Sequence, residues 1–461
     1  MNRFSLEEVG IMASGNFTEG KILKPLLQFA LPVMFALFLQ SLYGAVDVLI
    51  VGRFALSADV SAVSTGAQIM MTATSVIAGL SMGTTILIGQ LLGKNDPEEA
   101  GRAVGTSIAF FALIALCLSL VMVPGASFLA NLMNAPKEAF EMTVSYIRIC
   151  SAGFVFITAY NLLGALFRGL GNSRVPLFAV GVAAAMNMVL DYILVNNFHM
   201  GASGAAIATV AAQAFSVAVS LILIRRITLP FEFRREMIRF NKAIIRQITG
   251  FGFPIALADL LVGMSFLIIL AIVNSLGLMA SAGMGVAEKV CGFIMLVPSA
   301  FGQSMASFVA QNYGARKMDR ARKALAMGIG VSLVFGIVIG YFSFFHGDLL
   351  CGIFSKDAQV VAQGWEYLKA YAIDCVLTAF FFCFNGYFNG CGYTKFVMAQ
   401  SIIGAFGVRI PVSYLMSKVK PVSLFRVGLA TPASSLVQTI LCIIYLFTVA
   451  KKKEQEVMRE A

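Results

Sequence analysis

Long apolar segments separated by short polar connections make up most of this chain. A transmembrane helix needs about 20 apolar residues, and twelve segments have a suitable length. They cover residues 28–51, 61–92, 103–123, 144–167, 175–196, 203–224, 250–276, 282–311, 324–345, 365–388, 396–416 and 427–450. The pattern therefore predicts an all-α integral membrane protein with twelve transmembrane helices.

The composition supports this interpretation, because 59% of the 461 residues are hydrophobic and only 12% are charged. Soluble domains carry about 25% charged residues. The net charge is +11, but the positive charges are distributed by loop rather than gathered in one domain, so we expect no nucleic-acid partner. The first 24 residues contain no apolar core followed by a cleavage site, so we expect no cleavable signal peptide.

An internal repeat divides the chain into two similar halves. Gln90-x-x-Gly93 recurs as Gln311-x-x-Gly314, at a spacing of 221 residues. The segment 167–171 (Phe-Arg-Gly-Leu-Gly) recurs at the same spacing as 388–392 (Phe-Asn-Gly-Cys-Gly). Duplicated membrane halves with a polar site near the bilayer midplane are typical of secondary transporters.

Lysine and arginine concentrate in the even-numbered connections and near both ends of the chain. By the positive-inside rule, both termini then face the cytoplasm. Each half has six helices, so the halves insert in the same orientation and are pseudo-symmetric about an axis along the membrane normal. The predicted organisation is an N-terminal six-helix lobe with a cation site (1–224), a cytoplasmic basic linker (225–249) and a C-terminal six-helix lobe (250–461).

Ionisable side chains inside the predicted helices need a reason, since each costs about 2.5–3.5 kcal/mol at a helix centre. Asp47 shares one face of the first helix with Gln40 and Tyr43. In the fifth helix, Asn187 and Asp191 are four residues apart and lie on one face, and the sixth helix adds Thr209. If these helices meet, their oxygens form a cavity suited to Na⁺ or a proton. The alternative is that each acid hydrogen-bonds a neighbouring helix and binds no ion.

Other charged groups indicate less specific roles. The adjacent Glu288 and Lys289 either pair with other helices or face a central cavity. Asp374 and Arg409 lie on the tenth and eleventh helices, for which a mutual salt bridge is the favoured interpretation. No nucleotide-binding loop, HExxH or GxSxG motif occurs. We therefore expect no enzyme and no cofactor, with energy supplied by an ion gradient or a partner.

In these features the chain resembles the multidrug and toxic compound extrusion (MATE) family over about residues 20–450. The resemblance is carried by Gln40, the Tyr43-x-x-x-Asp47 stretch, the two Gln-x-x-Gly motifs, Arg168-Gly169-x-Gly171 and Asn187-x-x-x-Asp191. It implies two six-helix lobes around a central cleft, and efflux of organic cations in exchange for H⁺ or Na⁺.

The resemblance also assigns candidate residues. It implies a cation-coupling site made of Asp47, Asn187, Asp191 and Thr209, with Gln40 nearby, and these residues would be metal ligands if the coupling ion is Na⁺. For the substrate cleft the candidates are Tyr43, Glu288, Lys289 and Asp374. The second lobe departs from some sodium-coupled members, because Val262 and Thr378 stand where those members carry acids, and Asp374 is the possible substitute.

The leading hypothesis is therefore a cation-coupled multidrug antiporter that works as a monomer in the bacterial inner membrane. One alternative is a flippase for lipid-linked oligosaccharides or peptidoglycan precursors. The deep charges are mostly acidic, whereas an anionic pyrophosphate favours Arg and Lys. Another alternative is a non-transporting membrane receptor or scaffold, in which the buried acids are only structural.

Overall fold

Helices account for almost all of the regular structure. The computed structural model describes residues 16–227 and 229–454. Within these residues, eleven helices are long and apolar enough to cross a membrane, and a twelfth span is a helix pair bent by 53° at Gly153. The spans are α1 (Leu23–Phe54), α2 (Ser57–Gly93), α3 (Pro97–Leu132), α4 (Lys137–Ala152 with Phe154–Gly169), α5 (Arg174–Asn197), α6 (Gly201–Ile224), α7 (Lys242–Asn274), α8 (Leu278–Gly314), α9 (Met318–Phe345), α10 (Ala358–Gly390), α11 (Thr394–Lys418) and α12 (Leu424–Glu454). The prediction of an all-helical membrane protein is confirmed.

Short polar side chains set where several of these helices begin. The Asp96 carboxylate accepts a hydrogen bond from the Glu99 backbone N–H at the start of α3. Asp357 does the same for two backbone N–H groups of α10, and Ser423 does so for α12. Such capping satisfies backbone donors that have no partner within the helix.

Three segments within the spans are π-helical rather than α-helical. Tyr192–Asn197 ends α5, Ile403–Arg409 lies in the middle of α11, and Leu446–Ala450 lies in α12. Two short helical turns, Arg235–Met237 and Gly347–Gly352, lie in the connections. Single π-helical turns inside α-helices occur frequently at functional sites.

The chain folds as two compact units. The first contains Leu31–Ala256, and the second contains Phe17–Ala30 together with the chain from Leu257 onward. The first turns of α1 therefore belong to the second unit. The predicted cytoplasmic termini lie in 1–15 and 455–461, and the predicted linker includes residue 228, all outside the described residues.

In the first unit, α2 packs against α3, α4 and α6. In its most apolar window 67% of the residues are buried, compared with 28% for α3. Gly66 allows this close packing, because a Cβ atom there would lie 2.4 Å from the Tyr146 ring. Small residues bring transmembrane helices into this kind of contact.

In the second unit, α10 packs against α8, α9 and α12. At its crossing with α8, a Cβ atom on Gly386 would lie 2.2 Å from the Gly302 carbonyl oxygen. Position 386 therefore has no room for a larger residue unless the helices separate.

The backbone repeats at the spacing found in the sequence. Asn95 and Arg316, which are 221 residues apart, both adopt left-handed conformations, with φ of 58° and 59°. Gly171 and Gly392 have the same spacing, with φ of 76° and 82°. The helices that precede these residues therefore end in the same way in both halves, as expected for two copies of one unit.

Two arginines at the start of α9 donate hydrogen bonds to residues near both ends of the described chain. The Arg320 guanidinium donates to the carbonyl oxygens of Phe17 at 2.7 Å, Glu19 at 2.7 Å and Gly20 at 2.6 Å. Two residues later, Arg322 donates to Oε2 of the fully buried Glu454. The second unit thus binds the segment before α1 and the last described residue of α12.

Candidate cation site

Three helices of the first unit bring four of the sequence-predicted residues together. Asp47 on α1 is 7% exposed, and Asn187 and Asp191 on α5 are 1% and 0% exposed. Thr209 on α6 donates to Asp47 Oδ2 over a long 3.4 Å and to the Ala205 carbonyl at 3.0 Å. The side chains of Asp191 and Asn187 lie close to the Asp47 carboxylate.

The oxygens of this site are not satisfied by the protein itself. Asp47 Oδ1, both carboxylate oxygens of Asp191 and both amide atoms of Asn187 are buried without a hydrogen-bond partner. Two carboxylates are both acceptors, so they form a hydrogen bond with each other only if one carries a proton. As an ionised pair they repel in a low-dielectric surrounding. The arrangement therefore favours a proton or a small cation between the two acids.

Local structure explains why these groups converge. Asn187 and Asp191 are one helical turn apart, and α5 changes to π-helical geometry immediately after Asp191. The α6 residues Ala205, Ala208 and Ala212 are almost fully buried. Their small side chains let α6 approach its neighbours closely.

A third buried acid of this unit, Asp59, was not predicted and has a structural role. Its carboxylate accepts hydrogen bonds from the backbone N–H of Ala202 at 2.8 Å and of Leu56 at 3.2 Å. Gly201 has a φ of 51°, and a Cβ atom there would lie 2.2 Å from Asp59 Oδ1. Asp59 therefore caps α6 and helps to place Thr209.

Tyr43 and Gln213 extend the polar region around Asp47. The Tyr43 side chain is half-buried and interacts with both Asp47 and the Gln213 amide. Gln213 Oε1 is buried and unpartnered. Gln213 was not among the sequence-predicted residues, although it lies four residues after Thr209 and so on the same helix face. Gln40 is exposed on α1, and the hydrogen bonds of the described residues do not join it to the two acids.

The remaining candidates belong to the second unit. Glu288 is half-buried, Lys289 is exposed and Asp374 is 2% exposed. Glu288 and Asp374 both interact electrostatically with Cys291. Tyr43 belongs to the first unit, so the substrate-cleft set is divided between the two units.

The predicted Asp374–Arg409 salt bridge is wrong. The two groups attract each other electrostatically, but the ion pairs formed by residues 16–227 and 229–454 do not include them. Instead, Arg409 Nη1 donates to Ser265 Oγ at 3.2 Å. Its guanidinium carbon lies 4.5 Å from the centre of the Phe266 ring, so α7 rather than Asp374 holds the arginine.

The described residues contain no group of three or more His, Cys, Asp or Glu side chains that could hold a metal ion. The first-unit site offers two carboxylates, an amide oxygen and a hydroxyl. Oxygen ligands of this type suit a hard cation rather than a transition metal.

The family model described as MatE matches this chain twice, at residues 32–193 and 254–415. The chain belongs to the MatE family. The family prediction is confirmed, as is the prediction that the chain is a transporter rather than an enzyme. The two matches also coincide with the two halves of the internal repeat.

Relatives span nearly the whole chain. The probable multidrug resistance protein YoeA of Bacillus subtilis is 25% identical, over 92% of this chain and 94% of its own length. The probable multidrug resistance protein NorM of Thermotoga maritima is 24% identical, over 95% of each chain. The multidrug export protein MepA of Staphylococcus aureus is 23% identical, over 87% of this chain and 88% of its own.

Solved structures share the fold. A MATE protein crystallised with MaL6 superposes with a TM-score of 0.89 at 19% identity, over 96% of this chain and 98% of that one. An outward-facing MATE transporter gives the same TM-score and identity, over 97% and 99% of the two chains. This protein is thus an integral membrane protein with the MATE fold.

Proposed function

We propose that this multidrug efflux transporter is an antiporter that exports lipophilic organic cations in exchange for H⁺ or Na⁺. The observation that carries the proposal is the pair of buried carboxylates, Asp47 and Asp191, because three of their four oxygens lack a hydrogen-bond partner. Relatives named for multidrug resistance and multidrug export support the substrate class.

In the proposed cycle, an inward-open state binds the organic cation from the cytoplasm or the inner leaflet. After the change to an outward-open state, H⁺ or Na⁺ enters the Asp47–Asp191 site and favours release of the substrate. A ligand shifts a conformational equilibrium only by its difference in affinity for the two states. Tight exchange therefore requires that the two cations strongly favour opposite states.

The site residues have distinct proposed roles. Asp47 and Asp191 supply the negative charge, and Asn187 and Thr209 supply neutral oxygens that would complete a Na⁺ site. A proton needs only the carboxylates. Tyr43 and Gln213 extend the polar surroundings of Asp47, and Gln40 provides a further polar group on α1. The protein is proposed to work as a monomer with both termini in the cytoplasm.

The proposal is tested by dye efflux in inverted membrane vesicles, with a sodium gradient and a proton gradient imposed separately. We expect one gradient to drive uptake of a cationic dye by the wild type and to have no effect on Asp47→Asn. Equal gradient-driven uptake by both proteins would contradict the coupling role. Complementation of a flippase-depleted strain would instead favour the flippase alternative.

A further inference from the structure

A second buried polar cluster lies in the second unit, around Arg409. The Arg409 side chain is 5% exposed, and Asp374 on α10 is 2% exposed. The hydroxyl residues Ser413 and Thr431 are 0% and 3% exposed. Asp374 Oδ1, Arg409 Nε, Ser413 Oγ and Thr431 Oγ1 are all buried without a hydrogen-bond partner. Burying charged groups is costly. The proposed role of the first-unit site does not explain why the second unit also buries them.

The internal repeat relates this cluster to the first-unit cation site. The two matches of the family model begin and end 222 residues apart. The spacing in the neighbouring loops is 221. Within the helices it is 222 for Pro32 and Pro254 of α1 and α7, and α11 contains a π-helical turn, Ile403–Arg409. The register is supported by Tyr192 and Tyr414, and by Ala208-Thr209 and Ala430-Thr431.

In this register the two polar clusters occupy the same positions of the repeat. The pairs are Asn187 with Arg409, Asp191 with Ser413, Thr209 with Thr431, Gln213 with Ser435, Tyr43 with Ser265, and Asp47 with Ile269. The second cluster has therefore lost both acids of the first site and gained a guanidinium.

The contacts of Arg409 agree with this correspondence. Arg409 donates to Ser265, the counterpart of Tyr43. The acid that attracts it electrostatically, Asp374, comes from α10 instead of α7 or α11, and its side chain lies near Ser435, the counterpart of Gln213. The second cluster thus balances one carboxylate with one fixed positive charge, whereas the first has two carboxylates and no fixed positive charge.

We propose that the Arg409 guanidinium permanently supplies, in the second unit, the positive charge that a mobile H⁺ or Na⁺ supplies in the first-unit site. This inference rests on the proposed function of the Asp47 site. Because a guanidinium remains protonated in proteins, this positive charge is never released during the cycle. The protein then binds one coupling cation per chain, and Arg409 prevents the second unit from binding another.

The test is the number of cations bound per purified chain. Sodium binding is measured by equilibrium binding of radioactive Na⁺ at pH 8, and proton binding by titration of weakly buffered protein. Arg409→Asn restores the residue of the first repeat and leaves Asp374 without a fixed counter-charge. We expect one cation per wild-type chain and two per Arg409→Asn chain. When Asp47→Asn is added, we expect no bound cation in the single variant Asp47→Asn and one in the double variant Asp47→Asn/Arg409→Asn.

Matched variants separate charge from packing. Arg409→Lys keeps the positive charge and should keep the wild-type number of one. The double variant Arg409→Asn/Asp374→Asn removes both charges and should also bind one cation. A binding number that stays at one in Arg409→Asn and falls to none when Asp47→Asn is added overturns the inference. Wild-type binding that is absent, or unchanged by Asp47→Asn, instead contradicts the proposed function.

Loss of folding in Arg409→Asn is also informative. We expect Na⁺ or acidic pH to restore a monodisperse, folded protein, because either cation can replace the missing charge beside Asp374. If Arg409→Asn stays unfolded under both conditions while Arg409→Asn/Asp374→Asn folds, no mobile cation replaces the guanidinium and the inference is wrong.

Discussion

The two units bury polar groups at corresponding positions but balance their charges differently. In the first unit, Asp47 and Asp191 face each other with no lysine or arginine paired to them among the described ion pairs. In the second, Asp374 faces Arg409. The two repeats therefore carry different charges at corresponding positions, where Ile269, Arg409 and Ser413 stand opposite Asp47, Asn187 and Asp191.

The largest expected effect concerns the acids themselves. Asp47→Asn removes one of the two charges that attract the coupling cation, so gradient-driven efflux should fall to the level of vesicles without the protein. Asp374→Asn, the matched change in the second unit, should keep the dependence of efflux on the gradient, because that acid lies outside the first-unit site. Dye-efflux rates in vesicles with equal amounts of protein measure both. Similar losses in the two variants would remove the distinction between the units.

The second effect concerns stability. Arg409→Met removes the positive charge that attracts the buried Asp374 carboxylate, and a buried charge left without compensation is strongly destabilising. Arg409→Met/Asp374→Leu removes both charges and should recover most of that loss. Free energies of unfolding in detergent, measured by titration with denaturant in the absence of Na⁺, compare the two. Equal destabilisation of the single and double variants would show that Arg409 acts through packing rather than through charge.

The third effect concerns helix packing. Gly386→Ala should lower the free energy of unfolding by about 1–3 kcal/mol through overpacking, because the α8 backbone lies against this position. The repeat position in the first unit is already alanine, Ala165, so the two units differ in how closely these helices approach. Gly330→Ala is the control, since no atom lies within 4 Å of a Cβ atom there. If Gly386→Ala lowers the free energy of unfolding no more than Gly330→Ala does, the close approach of α8 to α10 is contradicted.

The smallest effect concerns the hydroxyl groups. Thr209→Val removes one oxygen from the first-unit site, and a hydrogen bond contributes about 0.5–1.5 kcal/mol. Affinity for the coupling cation should therefore fall about 2- to 12-fold. Thr431→Val, at the corresponding position of the second unit, should leave that affinity unchanged. Cation titrations of the two purified variants measure both affinities. An equal loss of affinity in the two variants would contradict the difference between the units.

Much of the fold could be predicted, because apolar length and helical spacing are local properties of the sequence. The twelve apolar segments each correspond to a described span, and Asn187 and Asp191 share a face because they are four residues apart. Asn95 and Arg316 share a left-handed conformation, which agrees with the repeat that the sequence motifs indicated.

What could not be predicted depends on contacts between helices. The salt bridge expected for Asp374 and Arg409 came from the short loop between their helices, but the π-helical turn in α11 and the contact with Ser265 direct the guanidinium towards α7. The repeat spacing in these helices is also 222, whereas the loop motifs repeat at 221. The correspondence between Asn187 and Arg409 was therefore hidden from a search at a constant spacing.

The central claim is that the first-unit acids bind a mobile cation whose binding opposes that of the substrate. Equilibrium binding of a fluorescent organic cation to purified protein, measured at increasing Na⁺ and at decreasing pH, tests it most directly. The account predicts that Na⁺ or H⁺ lowers the affinity of the wild type for the dye and has no effect on that of Asp47→Asn. The same loss of affinity in both proteins would contradict it.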